Sequence, residues 1–148
     1  MSKRLKTALG MGAALMLLGM GMSMAMSMGA GTALAGSPTA LLQRYAKQAG
    51  ISVNDFSAAR GRAFFLARHK GGKPATPSCS TCHTQNPRNA GKTRTGKRIK
   101  PMALSRTPGR FSDPKKVEKW FRRNCRSVLG RACTPREKGD FITFMMSQ

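Results

Sequence analysis

Cys79-Ser80-Thr81-Cys82-His83 stands inside a stretch of about forty residues that is rich in Pro, Gly, Thr, Lys and Arg and shows no strand alternation. In a small chain, a segment that long without secondary structure is usually functional. C-x-x-C-H is the attachment pattern of c-type haem. The spacing has a physical reason: two thiols one short turn apart reach the two vinyl groups along one porphyrin edge, and the next imidazole swings beneath the iron. Such a chain wraps its loops around a flat, largely apolar group that becomes part of its core. Two other readings compete. C-x-x-C also suits a thioredoxin-like dithiol, but no βαβ pattern surrounds it. Cys79, Cys82, Cys125 and Cys133 together would suit a four-cysteine zinc site on a basic nucleic-acid-binding module, although the gap between Cys125 and Cys133 is wide for a zinc knuckle.

The first residues read MSKRLKTALGMGAALMLLGMGMSMAMSMGAGTALAG. Lys3, Arg4 and Lys6 precede a long uncharged run of Ala, Leu, Met and Gly, which Ala33 and Ala35 close with an A-x-A pattern. A secretory signal peptide is expected over residues 1–35, cleaved near Ala35, leaving 36–148 as a monohaem cytochrome c domain in the periplasm. A retained membrane anchor is the competing reading, which the Gly and Met content and the small-residue end oppose. Export agrees with haem attachment, which is made outside the cytoplasm. The chain carries 27 Lys and Arg against 5 Asp and Glu, a net charge of +22, and the excess survives removal of the leader. A surface this basic implies an acidic partner or steered encounter. In an exported protein that points to acidic redox proteins or phospholipid headgroups rather than nucleic acid.

Start and stop signals predict about four helices and an all-α class. Ser37-Pro38 caps a first, with Leu41, Leu42, Tyr45 and Ala49 on one face and Gly50 as its stop. Asn54 or Asp55 opens a second, running through Arg60, Phe64 and Phe65 to His69 and stopped by Gly71-Gly72. Asp113-Pro114 opens the third, which runs to about Cys125 with Phe111 outside it as a staple. Thr134-Pro135-Arg136-Glu137 is a capping box that starts the last, carrying Phe141, Ile142, Phe144 and Met145. On the third helix, Val117, Trp120 and Phe121 recur at helical spacing, and the next position on their face is Asn124. A buried amide without a partner costs about 1–3 kcal/mol, so Asn124 is expected to have one.

His83 would supply one axial position, and the residue opposite decides function. Met102, in a Pro-containing loop, is what an ordinary small cytochrome c would use. Met145 and Met146 lie in the last helix, where core packing is the better expectation. His69 ends a helix, where a cation suits the dipole. Asn124 is the one polar group on a core stripe, and its amide oxygen is a hard donor, better for ferric than for ferrous iron. With Cys79 and Cys82 taken by haem, Cys125 and Cys133 most simply form a disulfide in an oxidising compartment.

The chain after the leader resembles the sphaeroides haem protein family, small class I c-type cytochromes. GRAFFL from Gly61, GGKPATPSCSTCH from Gly71, AGKTRTGKRIKP from Ala90, RFSDPKKVEKWFRRNC from Arg110 and VLGRACTPREKGDF from Val128 carry the likeness. The resemblance implies a class I cytochrome c fold, with long loops wrapped round one covalent haem c. It makes Cys79 and Cys82 the thioether sites, His83 the proximal ligand, Asn124 the distal ligand and Cys125–Cys133 the disulfide. It also implies release of Asn124 on reduction, binding of oxygen or nitric oxide by the ferrous haem, and redox exchange with a dihaem cytochrome c and a membrane cytochrome b. Trp120 and Phe121 would pack the haem pocket, and the basic loop Lys92–Lys100 would form part of the docking face. A simple electron carrier with Met102 as permanent sixth ligand is the competing function. No carboxylate, Ser or Cys constellation offers acid–base or nucleophilic chemistry, so a redox or ligand-binding haem protein is expected before an enzyme.

Overall fold

The structure, a computed structural model, describes residues 36–148; the expected leader over 1–35 lies outside the described residues. In order come α1 (Pro38–Ala49), a 3-10 turn (Val53–Asp55), α2 (Ala58–Leu66), a single helical turn α3 (Ser80–His83), β1 (Gly91–Lys92), β2 (Arg98–Ile99), α4 (Pro114–Leu129) and α5 (Pro135–Met146). The caps follow the sequence signals. The Ser37 hydroxyl accepts from the Ala40 N–H, Asp113 accepts from the Lys116 N–H, and Thr134 with Glu137 closes a reciprocal capping box.

Two boundaries differ from expectation. The sequence signals open the second helix at Asn54 or Asp55 and carry it to His69. Ser52 instead caps the 3-10 turn, Ser57 caps α2, and the chain leaves helical geometry at Ala67. Ser57 wins because its N–H is held at 2.7 Å by the Asp140 carboxylate on α5, which fixes the start of α2 tertiarily. The helix expected to end near Cys125 runs one turn further, to its cap at Gly130, because Val128 and Leu129 continue its buried stripe. The long loop also holds a two-residue antiparallel ladder, Gly91 opposite Ile99 and Lys92 opposite Arg98, too short to show alternation.

One core joins the elements, with α5 at its centre packed against α1 and α2. Phe141 of α5 meets the rings of Phe65, Phe111 and Phe121 at 5.6–6.4 Å between centroids, and Phe121 stands edge-on to Tyr45. Phe111 therefore packs on α5 as well as preceding α4. At Gly61 a Cβ would run into the Asp140 carbonyl oxygen, so only glycine lets α2 and α5 approach this closely. Arg60 grips the buried Asp140 through Nε (2.8 Å) and Nη2 (2.9 Å). A second polar link ties three helices: the Tyr45 hydroxyl of α1 donates to Glu118 of α4 at 2.5 Å, and Lys138 of α5 pairs with the same carboxylate at 2.8 Å.

Burial alone would raise the Glu118 pKa, but the hydrogen bonds from Lys138 and Tyr45 outweigh it and hold the carboxyl below the ordinary range. A depressed folded-state pKa means that the link contributes its full stability above the unfolded value and loses it as pH falls through the folded one. Wild-type stability is thus expected to drop on acidification below about pH 4.5. Glu118→Gln should be less stable at pH 7 and show a shallower acid limb, measured by denaturant unfolding at a series of pH values. An identical acid limb in the variant would remove Glu118 from the account.

Candidate functional site

The motif folds as one helical turn. The N–H groups of Cys82 and His83 donate to the Cys79 carbonyl at 3.3 and 3.2 Å. Ser78 sets up this turn: its hydroxyl takes the Thr81 N–H at 3.2 Å and lies 2.8 and 3.0 Å from the Ser80 and Thr81 hydroxyls. Cys79 and Cys82 are free thiols, and burial pushes the Cys79 thiol up to about 11. A protonated, partly buried thiol is a poor redox dithiol, which weakens the thioredoxin-like reading. After His83, Thr84 takes a left-handed φ of 62° and the chain turns away. It returns at Gly91, where a Cβ would run into the Cys82 carbonyl oxygen and stand 3.0 Å from the His83 Cα. Glycine there lets the β1–β2 hairpin lie directly on the motif backbone.

His83 is the unusual group. Its Nδ1 is buried and has no hydrogen-bond partner. Burial, and then the Arg110 guanidinium, push its pKa down to about 4, so the imidazole is neutral at pH 7, the form that binds metal. Arg110 itself is fixed by donating to the carbonyl oxygens of Pro101 and Lys100. Two free thiols on one helical turn with a half-buried, neutral imidazole whose Nδ1 is buried and unsatisfied are the donor set that covalent haem attachment requires.

The segment leading into the motif is stitched to the end of α4. The Lys73 N–H donates to the Ser127 carbonyl at 2.7 Å, and the Thr76 hydroxyl reaches the same carbonyl and the Ser127 hydroxyl at 3.1 and 2.8 Å. Asn124 sits one turn before Ser127. It is exposed, as is Trp120 at 46%, which corrects the expectation of an apolar stripe through Val117, Trp120, Phe121 and Asn124. The buried stripe of α4 is Val117, Phe121, Cys125, Val128 and Leu129. Trp120, Asn124 and Ser127 form an adjacent stripe, on which Trp120 and Asn124 stand uncovered by any described element, with the Arg123 guanidinium 5.1 Å from the Trp120 ring centroid. Phe121 makes its ring contacts with Tyr45 and Phe141.

The remaining candidates are dispersed. Met102 is buried in the core, its N–H held by the Pro87 carbonyl at 2.8 Å. Met145 is fully buried, while Met146 is 39% exposed. His69 lies beyond α2, its N–H on the Pro77 carbonyl and its ring 5.6 Å from that of Phe64. Cys125 and Cys133 are bonded to each other, joining the end of α4 to the start of α5. That bond takes two of the four sulfurs and removes the four-cysteine zinc alternative. Sequence reasoning missed Gly91, Arg110 and Ser127. None carries a local signal, since each acts through a contact with backbone that its own neighbours in sequence do not announce.

A family model described as a domain of unknown function (DUF1924) matches residues 51–145. Cytochrome c-type protein SHP of Cereibacter sphaeroides is 53% identical over 118 residues, covering 78% of this chain and 89% of that protein. The chain belongs to the SHP family of c-type cytochromes. Cytochrome c'' of Methylophilus methylotrophus is 39% identical over 89 residues, 60% of this chain and 62% of its own. Among solved structures, oxidised SHP, described as an oxygen-binding cytochrome c, aligns at a TM-score of 0.72 with 52% identity, over 76% of this chain and 97% of that one. Oxidised cytochrome c'' aligns at 0.63 with 34% identity, over 75% and 94%. The fold is that of cytochrome c and the cofactor is covalent haem c.

Gly91→Ala is expected to push the hairpin off the Cys82–His83 backbone and to lower the yield of haem-loaded protein several-fold, measured by haem-stained gel and pyridine haemochrome. Gly109→Ala, where a Cβ meets nothing within 4 Å, serves as the control and should match wild type. Equal yields from both variants would show that the hairpin contact is not needed to form the site.

Proposed function

We propose that this chain is an exported, periplasmic cytochrome in which Cys79 and Cys82 form the thioether bonds, His83 is the proximal axial ligand and the Asn124 amide oxygen is the distal one. Haem c, when bound, would supply a one-electron iron centre able to take up a small ligand. The observation that carries the reading is the place of Asn124: it stands on the uncovered stripe of α4, one turn before the residue that anchors the motif-bearing segment. A hard amide donor suits ferric iron and serves ferrous iron poorly. Asn124 would therefore let go on reduction and leave its position to oxygen or nitric oxide, in keeping with oxygen binding by SHP. Trp120 walls the pocket beside it, and Phe121 holds α4 in register from the core side.

Electron exchange fits a dihaem cytochrome c or another acidic redox protein, with a membrane cytochrome b as a further partner. The basic hairpin Lys92–Lys100 lies on the motif through Gly91 and supplies complementary charge for that encounter. The competing reading, an electron carrier with Met102 as permanent sixth ligand, draws on the burial of Met102 and its fixed backbone.

Anaerobic optical spectra of oxidised and reduced protein, followed by nitric oxide, separate the two. Release of Asn124 predicts a reduced spectrum that turns high-spin and shifts on adding nitric oxide, both effects persisting in Met102→Leu. Asn124→Ala should make the oxidised protein high-spin as well. A reduced spectrum that stays low-spin and ignores nitric oxide would establish the electron carrier instead.

A further inference from the structure

Helix α4 has a third face. At about 100° per residue, Lys115, Lys119, Arg122 and Arg126 follow one another at i, i+4, i+7 and i+11 along one line of the helix. That line lies roughly opposite Asn124, with the buried stripe filling the arc on one side. All four side chains are exposed, and among the described residues none is in an ion pair or a side-chain hydrogen bond. Arg44 of α1 extends the row. It borders the same shallow cleft as Lys115, with Asp113 and Glu118, and a second cleft is bounded by Arg122, Arg126 and Lys138 together with the largely buried Phe121 and Cys133. Of the two acids beside the row, Glu118 is already engaged by Tyr45 and Lys138, and Asp113 accepts the Lys116 N–H as the cap of α4.

We infer that this row, Arg44, Lys115, Lys119, Arg122 and Arg126, is a docking face for an anionic phospholipid surface. Its chemistry selects the partner. A specific protein interface is built round buried aromatic or aliphatic anchors with a polar rim. The exposed large apolar side chains among the described residues are Trp120 and Met146, and neither lies on the row. With no anchor, and with cations of one sign spaced a turn apart, the face offers delocalised attraction, which suits a field of headgroup phosphates. The same lack of aromatics on the row leaves nothing on which nucleic acid bases could stack. Because the row faces away from Asn124, a protein held on a bilayer through it keeps the Trp120–Asn124 stripe open to solvent and to a redox partner.

Haem-loaded protein is tested by co-sedimentation with phosphatidylcholine vesicles, with and without about a third phosphatidylglycerol, at low and at physiological salt. Two variants of equal charge loss are compared. One replaces the row by Lys115→Gln, Lys119→Gln, Arg122→Gln and Arg126→Gln. The other replaces the hairpin by Lys92→Gln, Arg94→Gln, Lys97→Gln and Arg98→Gln. Wild type should bind only the anionic vesicles and be released by salt. The row variant should lose at least about tenfold in partition, while the hairpin variant stays within a few-fold of wild type and both keep the wild-type haem spectrum. Equal losses in the two variants would reduce the effect to net charge and overturn the docking face. Failure of wild type to bind anionic vesicles at low salt would overturn it too, as would binding to a DNA duplex as tight as to the vesicles and equally dependent on the row.

Discussion

The contact that the site depends on is the knot at Ser127. Its carbonyl and hydroxyl take the Lys73 N–H and the Thr76 hydroxyl, and this joins a segment without regular structure to the most regular element of the molecule. Three residues after Thr76 the motif begins. Together with the close backbone approach of Gly71 and Gly72 to Ser127, Val128 and Leu129, this knot fixes the distance of the motif-bearing segment from α4. With it, the thiols, the imidazole and the Trp120–Asn124 stripe share one frame. The frame in turn rests on α5, which Asp140 ties to α2 and Lys138 ties, through Glu118, to α4 and α1.

Much of this is legible before the structure. The caps at Ser37, Asp113 and Thr134 are local chemistry, and they start helices where they stand. C-x-x-C-H carries its own meaning through spacing, and the family likeness supplies the fold. Failures come where a local signal is overridden from afar. Asn54 and Asp55 look like helix openers, yet Ser57 begins α2 because a carboxylate on the far end of the chain, at Asp140, holds its N–H. The stripe of α4 is misread by one neighbouring position: Trp120 and Phe121 are both apolar, and only the packed helix shows that Phe121 faces Tyr45 and Phe141 while Trp120 does not. Gly91 is invisible for the same reason, since a glycine in a Gly- and Lys-rich loop gives no sign that another backbone will press on it.

Helix α4 divides its circumference among three tasks. One arc is core, one carries Asn124 beside the motif-bearing segment, and one is a row of unpaired cations. A helix of sixteen residues can do this because its strongly apolar arc is narrow and is completed by Phe141 and Cys133 from the next helix and its approach. The dense basic charge of the chain is thus distributed, part on the hairpin over the motif and part on the far side of α4.

The bond between Cys125 and Cys133 sits on the residue next to Asn124. It anchors the main chain there to the entrance of α5. In the proposed function, an Asn124 released from iron would move by rotation about its own two side-chain bonds, and such a rotation of an exposed side chain belongs to the picosecond-to-nanosecond class. A displaced amide would stay on a short tether close to where it left. An incoming diatomic molecule would then compete with a tethered neighbour at high local concentration, and the rotamers of one asparagine would bear on the ease of capture.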